Sequence, residues 1–319
     1  MVSAGGPLRI VFFGTPAFAV ATLDALLQSR HTVAGVVTQP DRPRGRGQRT
    51  SDAPVKARAV EAGLSILQPE RLNDASTHAA LAGLGADLGV VAAYGKLLPE
   101  PILAMPRLGL INVHASLLPR YRGAAPVHRA IAAGEQETGI TIMRVVKALD
   151  AGPMMARAQR PIGPDDTSEE VERDLAQIGG RLLVSTIEAI AAGTVSETPQ
   201  DERDATYAPR LVKEDGRIDW AWPAARIHNL VRGLHPWPHA YTFLAGDRYI
   251  LHRSRVLDDL QATAPGAVLE AAGDHLRIAA GTGALDVLEI QSEGKRPMAI
   301  REFLAGRRLS VGDCFAPRP

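Results

Sequence analysis

Apolar residues in the first 190 positions fall into short unbroken runs separated by segments of helical period. "LRIVFF", "TVAGVVT", "ADLGVVAAYG" and "LGLINVHA" have the continuous apolar texture of strands buried on both faces. Gly14, Thr15 and Pro16 turn the chain out of the first of these into a helix predicted from about Ala17 to Gln28. "PVKARAVEAG" and "PVHRAIAAG" read as further helices and "LSILQP" as a short extended piece. Strands alternating with helices predict βαβ units and a mainly parallel sheet. "TGITIMRVVKALDAGPMMARAQRPI" predicts two strands about a turn at Asp150. A long helix follows in "SEEVERDLAQIGGRLLVSTIEAIAAG", capped at Thr167 or Ser168, with Glu169 and Glu170 in its favourable first turn.

The texture changes after Gly193. "TVSETPQDERDATYAPRL" has few apolar groups and reads as a linker across the surface. Beyond it a helix, "AARIHNLVRGL", precedes short alternating segments: "AYTFL", "RYILHRSRV", "GAVLEA", "HLRIAA" and "ALDVLEI". That spacing, with Gly and Asp between the segments, predicts a small closed or partly open β-barrel. The fold class is therefore α/β: a Rossmann-like, mainly parallel domain over 1–193, a linker over 194–207, and an OB-like barrel over 208–319.

Composition agrees with this division. A chain of 319 residues is too long for one ordinary core and comfortable for two. With 45% apolar and 22% charged residues it has the makeup of a folded globular protein. A formal net charge of +1 neither favours nor opposes a polyanionic partner, so any such surface must be local. The single cysteine, Cys314, cannot form an internal disulfide, which fits a reducing compartment. The N-terminal stretch lacks the pattern of a signal peptide and reads as a first strand. No run approaches the roughly 20 apolar residues of a membrane helix. A cytoplasmic protein is expected.

The chemistry gathers in "INVHASLLPRYRGAAP". Asn112 and His114 lie two apart where a buried strand ends, so their side chains share a face. Sheets of this architecture bind ligands at the carboxyl ends of their strands. The bland alternative is a strand terminus whose polar groups bond the next loop. Three features weigh against it. An amide beside an imidazole is the pairing that holds an oxyanion. "SLLPRYRG" is irregular and rich in backbone amides, and "ALDAG" offers Asp150 in a tight turn as partner to the imidazole. Together they suggest an acyl-transfer site working without a covalent intermediate. A Ser-His-Asp triad fits worse, because "HASLLP" is not G-x-S-x-G. Neither Cys-x-x-Cys nor His-Glu-x-x-His occurs, so no metal is expected. "FFGTPAFA" follows a strand but lacks G-x-G-x-x-G, which makes it weak evidence for a dinucleotide.

These segments also carry a family resemblance. "VFFGTPAFA", "VVTQPDRPRGRG", "VVAAYGKLLP", "INVHASLLPRYRGAAP" and "ITIMRVVKALDAGPM" resemble, in order and spacing, the 10-formyltetrahydrofolate-dependent formyltransferases. "TQPDRPRGRG" and the tail with "IDW" and "HPWP" narrow the resemblance to the methionyl-tRNA formyltransferase family. It implies an enzyme that moves the formyl group of 10-formyltetrahydrofolate to the α-amine of methionine on initiator tRNA. Asn112 and His114 would donate to the oxyanion, while Asp150 would orient His114 and accept the amine proton; no metal is needed. Ser116, Leu117, Leu118 and Pro119 would contact the folate, with Ala92, Ala93 and Tyr94 forming part of the wall. Arg42, Arg44, Arg46 and Arg49 would approach the acceptor stem, Arg46 aligning with the key arginine. The tail, with its scattered Arg and Lys, would hold tRNA along its barrel, and Trp220, Trp222 and Trp237 read as packing. Ala115 departs from the family, which commonly has Gly there. A monomer without an obligate protein partner is expected. Two rivals remain: a formyltransferase acting on a sugar or nucleotide amine, and a nucleic-acid-binding module on a dead scaffold.

Overall fold

The computed structural model describes residues 5–41, 43–44, 49–50, 52–257 and 264–318, with only the backbone for 43–44 and 49–50. The chain divides into two compact units, Met1–Ala124 with Thr138–Arg160 and Glu172–Ala208, and Ala125–Glu137 with Pro161–Val171 and Pro209–Pro319.

The first unit begins with β1 (Arg9–Gly14), α1 (Ala17–Leu27), β2 (Thr32–Val37), a ribbon of β3 (Pro43–Arg44) and β4 (Arg49–Thr50), and α2 (Pro54–Glu61). It continues through β5 (Ile66–Leu67), α3 (Ala75–Gly83), β6 (Leu88–Ala92), α4 (Glu100–Leu103), β7 (Leu110–His114) and β8 (Arg122–Gly123). After α5 (Pro126–Ala133), a helix of the second unit, come β9 (Glu137–Arg144), β10 (Met154–Pro161), α6 (Ser168–Ala192) and β11 (Tyr207–Ala208).

Seven strands form one sheet in the order β10-β9-β7-β6-β1-β2-β5. The pairs from β5 through β7 are parallel and β9 runs antiparallel to β7. The chain moves outward from β1 to β2 and β5, then crosses back to β6 and β7. Strand order therefore reverses between β1 and β6, and sheets of this architecture bind ligands at the carboxyl ends of the strands around such a reversal. The continuous apolar runs exist because these strands are covered on both sides: Ile10, Phe12, Val36, Val90 and Ile111 are buried on one face, and Val11, Phe13, Val37 and Leu110 on the other.

Helix α6 begins with a capping box. The Thr167 N–H donates to Glu170 Oε2 at 2.9 Å, and the Glu170 N–H returns to Thr167 Oγ1 at 3.3 Å. At 25 residues α6 is, among the described residues, the helix long and apolar enough to cross a membrane by length and composition. Its buried Val171, Leu175, Leu183, Ile187 and Ile190 recur on one stripe, as in a core helix. Gly179 belongs to that stripe because a Cβ there would stand 2.9 Å from Val113 on β7.

Two findings differ from the sequence reading. Helices α3 and α4 were not predicted; both are short and each buries a single large apolar residue, Leu81 or Ile102, so neither leaves a periodic signal. The segment expected to be a surface linker is hydrogen-bonded into the first unit. Thr198 and Met154 exchange two backbone bonds of 2.8 Å, Glu202–Asp204 forms a 3-10 turn, and β11 pairs in parallel with β8. Its low apolar content reflects polar bonding to neighbours rather than freedom.

In the second unit, α7 (Ala224–Gly233) precedes β12 (Ala240–Leu244), β13 (Asp247–Leu257), β14 (Val268–Ala272), β15 (His275–Ala279), β16 (Ala284–Ser292), β17 (Met298–Ala299) and α8 (Ile300–Gly306). The strands pair antiparallel in the order β12-β13-β16-β15-β14, with β17 on β16. The chain end joins the two edges: the Phe243 N–H bonds Ala316 O at 2.9 Å, and the Phe315 N–H bonds Gly266 O at 2.8 Å. That closes the strands into a barrel and satisfies edges that would otherwise be exposed. Inside lie Tyr249, Leu276, Ile278, Val287, Phe303, Phe315 and Trp220, whose indole N–H donates to Thr242 Oγ1 at 2.9 Å. Helix α5 packs on α7 in this unit, although it follows a strand of the other in sequence.

Candidate active site

Asn112 and His114 stand at the carboxyl end of β7. Asn112 is in register with Val91 on β6 and Met143 on β9, and His114 with Thr141. His114 is buried, at 5% exposure, whereas Asn112 is half-buried. Two neighbours address the imidazole. Its Nε2 lies 3.0 Å from the Tyr121 carbonyl oxygen, and its Nδ1 lies 3.7 Å from Asp150 Oδ2. A carbonyl can only accept, so Nε2 carries a proton and Nδ1 is the nitrogen turned toward the carboxylate.

Asp150 occupies a left-handed conformation with φ +48°, and its Oδ2 accepts the Gly123 N–H at 2.8 Å. The turn closes on Gly152, where a Cβ would meet the Arg144 carbonyl oxygen at 1.9 Å. Ala93 at the end of β6, with φ +46°, and Tyr121, with φ +60°, are also left-handed non-glycine residues. Such backbone costs about 1–3 kcal/mol per residue and persists where the surroundings over-determine it, commonly at functional sites.

What holds the Asp150 turn is a polar hub that the sequence reading did not single out. Gln200 Nε2 donates to the carbonyl oxygens of Asp150 and Gly152, both at 2.8 Å. Gln200 Oε1 accepts from Arg122 Nε at 3.0 Å and Nη2 at 2.8 Å. The Arg122 guanidinium, 2% exposed, also forks onto Glu202 at 2.9 and 2.8 Å, which raises its already high pKa. These residues are 78 and 80 positions apart, and no local pattern marks such a pair.

Of the seven residues expected at the folate, the structure leaves three with side-chain surface. The Ser116 hydroxyl donates to Arg120 O at 2.6 Å and is buried. Thr141 Oγ1 donates to Ser116 O at 2.7 Å and accepts the Leu118 N–H at 3.1 Å, pinning the loop to β9. Leu118 and Ala92 are fully buried and serve packing. The Tyr94 ring packs edge-on against Phe13 at 5.6 Å, burial pushes its phenol up to about 12, and its carbonyl oxygen accepts from Gln39 Nε2 at 2.7 Å. Leu117 and Pro119 remain half-buried and Ala93 exposed. Ala115 adopts no left-handed φ, so its methyl group is accommodated without backbone strain.

Arg42 and Arg46 lie outside the described residues. Arg44 and Arg49 are register partners in the β3–β4 ribbon. At its base Asp41 pairs with Lys56 and accepts from Gln68 Nε2 at 3.1 Å. Several cations of the tail are paired: Arg248 with Glu293 at 3.8 Å, Arg307 with Asp247 at 2.9 Å, and Arg296 with Glu302 at 3.5 Å. Trp220 is core, Trp222 carries the Arg226 guanidinium 3.9 Å above its ring, and Trp237 is 48% exposed rather than packed.

The sequence matches the formyl transferase family over residues 8–187 and the formyl transferase C-terminal domain over 210–308. A protein of Solibacter usitatus (strain Ellin6076) named methionyl-tRNA formyltransferase is 47% identical over 306 residues, covering 96% of this chain and 98% of that relative. The chain belongs to the methionyl-tRNA formyltransferase family. A second member, from Caldanaerobacter subterraneus subsp. tengcongensis, is 46% identical and covers 96% and 99% of the two chains. Among solved structures, the family fold is shared by WlaRD, a sugar 3N-formyl transferase determined in the presence of dTDP and 5-N-formyl-THF. The two are 17% identical with a TM-score of 0.68, covering 92% of this chain and 100% of that one. HypX from Aquifex aeolicus, solved with tetrahydrofolic acid, gives a TM-score of 0.65 at 17% identity, covering 94% of this chain and 47% of HypX.

Proposed function

We propose that this chain transfers the formyl group of 10-formyltetrahydrofolate to the α-amino group of methionine on initiator methionyl-tRNA. The observation that carries the reading is the convergence of Asn112, His114 and Asp150 at one strand end, in a chain of this family. As the amine nitrogen bonds to the formyl carbon, negative charge grows on the formyl oxygen. The Asn112 amide donates to that oxygen. With Nε2 of His114 committed to Tyr121, the ring acts through Nδ1, the nitrogen that faces Asp150. Asp150 orients that nitrogen and takes the amine proton, directly or through water. The bond from the formyl carbon to the folate nitrogen then breaks and that nitrogen regains a proton; no covalent enzyme intermediate forms. The exposed Ala93 and the half-buried Leu117 and Pro119 suit a flat, partly apolar donor.

The arginines at 42, 44, 46 and 49 and the barrel of the second unit would grip the tRNA, and the reaction belongs with translation in the cytoplasm. The chain would act as a monomer. Incubation with the formyl donor and charged initiator tRNA is expected to yield formylmethionyl-tRNA. Product from small amines alone would favour a sugar- or nucleotide-directed enzyme, and tRNA binding without turnover a binding module.

A further inference from the structure

We propose that the second unit contains a binding site for a late first-row divalent cation, zinc foremost, formed by His235, His239 and His252. One ring nitrogen from each lies within 4.8 Å of those of the other two, and the ring centroids are 4.5–6.4 Å apart. His235 and His239 bracket the turn between α7 and β12, and His252 comes from β13. Imidazole is the donor that suits zinc, copper and nickel.

The outer shell has the form that metal-bound histidines use. His252 Nε2 lies 2.8 Å from Gln291 Oε1, and Gln291 is itself aimed by donating from Nε2 to Lys295 O at 2.7 Å. His235 Nε2 faces Glu169 Oε2 at 3.4 Å. An amide or carboxylate oxygen on the far nitrogen fixes the ring and leaves the other nitrogen to the cation. Polar atoms are also left over: Nδ1 of His235 and Nδ1 of His239 are buried without a hydrogen-bond partner among the described residues. Buried polar atoms are rarely left so.

His239 adds a further sign. Its φ is +68°, a conformation a non-glycine residue seldom holds. The strained backbone directs its ring onto His252, 4.5 Å away between centroids. Around a tetrahedral zinc with bonds of 2.0–2.1 Å, ligand nitrogens stand about 3.3 Å apart, so the rings need close by no more than about 1.5 Å. Three imidazoles leave a fourth position for water or an outside donor. The cation would tie the turn after α7 to β13. Neither Cys-x-x-Cys nor His-Glu-x-x-His could have signalled it, because the third ligand arrives from another strand.

The test uses the untagged full chain, stripped with a chelator and titrated with zinc against a chromophoric competitor, and with cobalt by visible spectroscopy. One equivalent of zinc with a Kd below about 1 μM is expected, with a cobalt spectrum of low coordination number. His239→Gly suits the left-handed backbone, so it should fold and yet lose affinity by at least about 100-fold, more than outer-shell losses cost. His252→Gln, checked for fold by circular dichroism, should do the same. Wild-type uptake no greater than that of folded His239→Gly, or a spectrum of fully hydrated cobalt, would overturn the site. Neither readout depends on formyl transfer.

Discussion

Gln200→Leu preserves most of the side-chain volume and removes every hydrogen bond that Gln200 makes in the hub behind Asp150. Arg122 keeps its fork to Glu202, so the charge stays paired, but its Nε–H loses its acceptor, and the Asp150 and Gly152 carbonyls lose their shared donor. Each stranded buried group costs about 1–3 kcal/mol; counting the Arg122 N–H and one carbonyl that finds no water, the protein should lose about 2–6 kcal/mol of stability. Activity should fall further than stability alone requires. The left-handed Asp150 is held by its surroundings, and relaxation of the turn would shift the carboxylate from its place 3.7 Å from His114. A displacement of about 1 Å can cost about 10²-fold in rate. Single-turnover formyl transfer should therefore slow by about 10–100-fold with the KM for tRNA little changed, in protein shown by thermal unfolding to be folded at the assay temperature. Gln200→Glu, which restores an acceptor for Arg122 but not the donor to the turn, should recover stability more than rate. A folded Gln200→Leu protein with wild-type turnover would show that Gln200 does not position Asp150.

Three further outcomes are expected. Asn112→Ala should lower turnover by about 10²–10³-fold, as for a lost oxyanion donor, with substrate binding nearly intact; near-normal turnover would remove Asn112 from the mechanism. Replacing Arg44 and Arg49 together with Ala should reduce the slope of log affinity for tRNA against log salt by about 1–2, read from binding curves at several ionic strengths, and an unchanged slope would show that neither meets a phosphate. His128 is held neutral, its pKa lowered from 6.5 to about 4 by burial and then by Arg129. The unfolded chain therefore binds the extra proton between those values, so stability present above pH 6.5 should be lost as pH falls toward 4, by about 3 kcal/mol at most. His128→Gln should flatten that part of the stability profile measured by denaturant unfolding, and an unaltered profile would contradict the assignment.

The strands of both units were legible because burial on both faces, or on alternate faces, writes itself into local sequence. "LRIVFF" and "LGLINVHA" show it in the sheet, and "AYTFL" and "HLRIAA" in the barrel. The pair Asn112 and His114 could be placed on one face from strand period alone, and their strand end was recognisable where the apolar run stopped. Local sequence could not show how polar side chains distant along the chain spend their hydrogen bonds. Gln200 and Glu202 lie in a stretch that composition marks as a linker, yet they hold the buried Arg122 and the Asp150 turn. Tyr94 and Leu118 sit inside the motif, but tertiary packing buries their side chains in the core. Helix α5 follows the first unit's strands in sequence and joins the second unit's α7, a choice made by which apolar face finds a partner. Backbone pattern is a local property that each segment carries with it; the partner of a buried charge, the tilt of an imidazole and the meeting of three histidines exist only once remote segments share the same few ångströms.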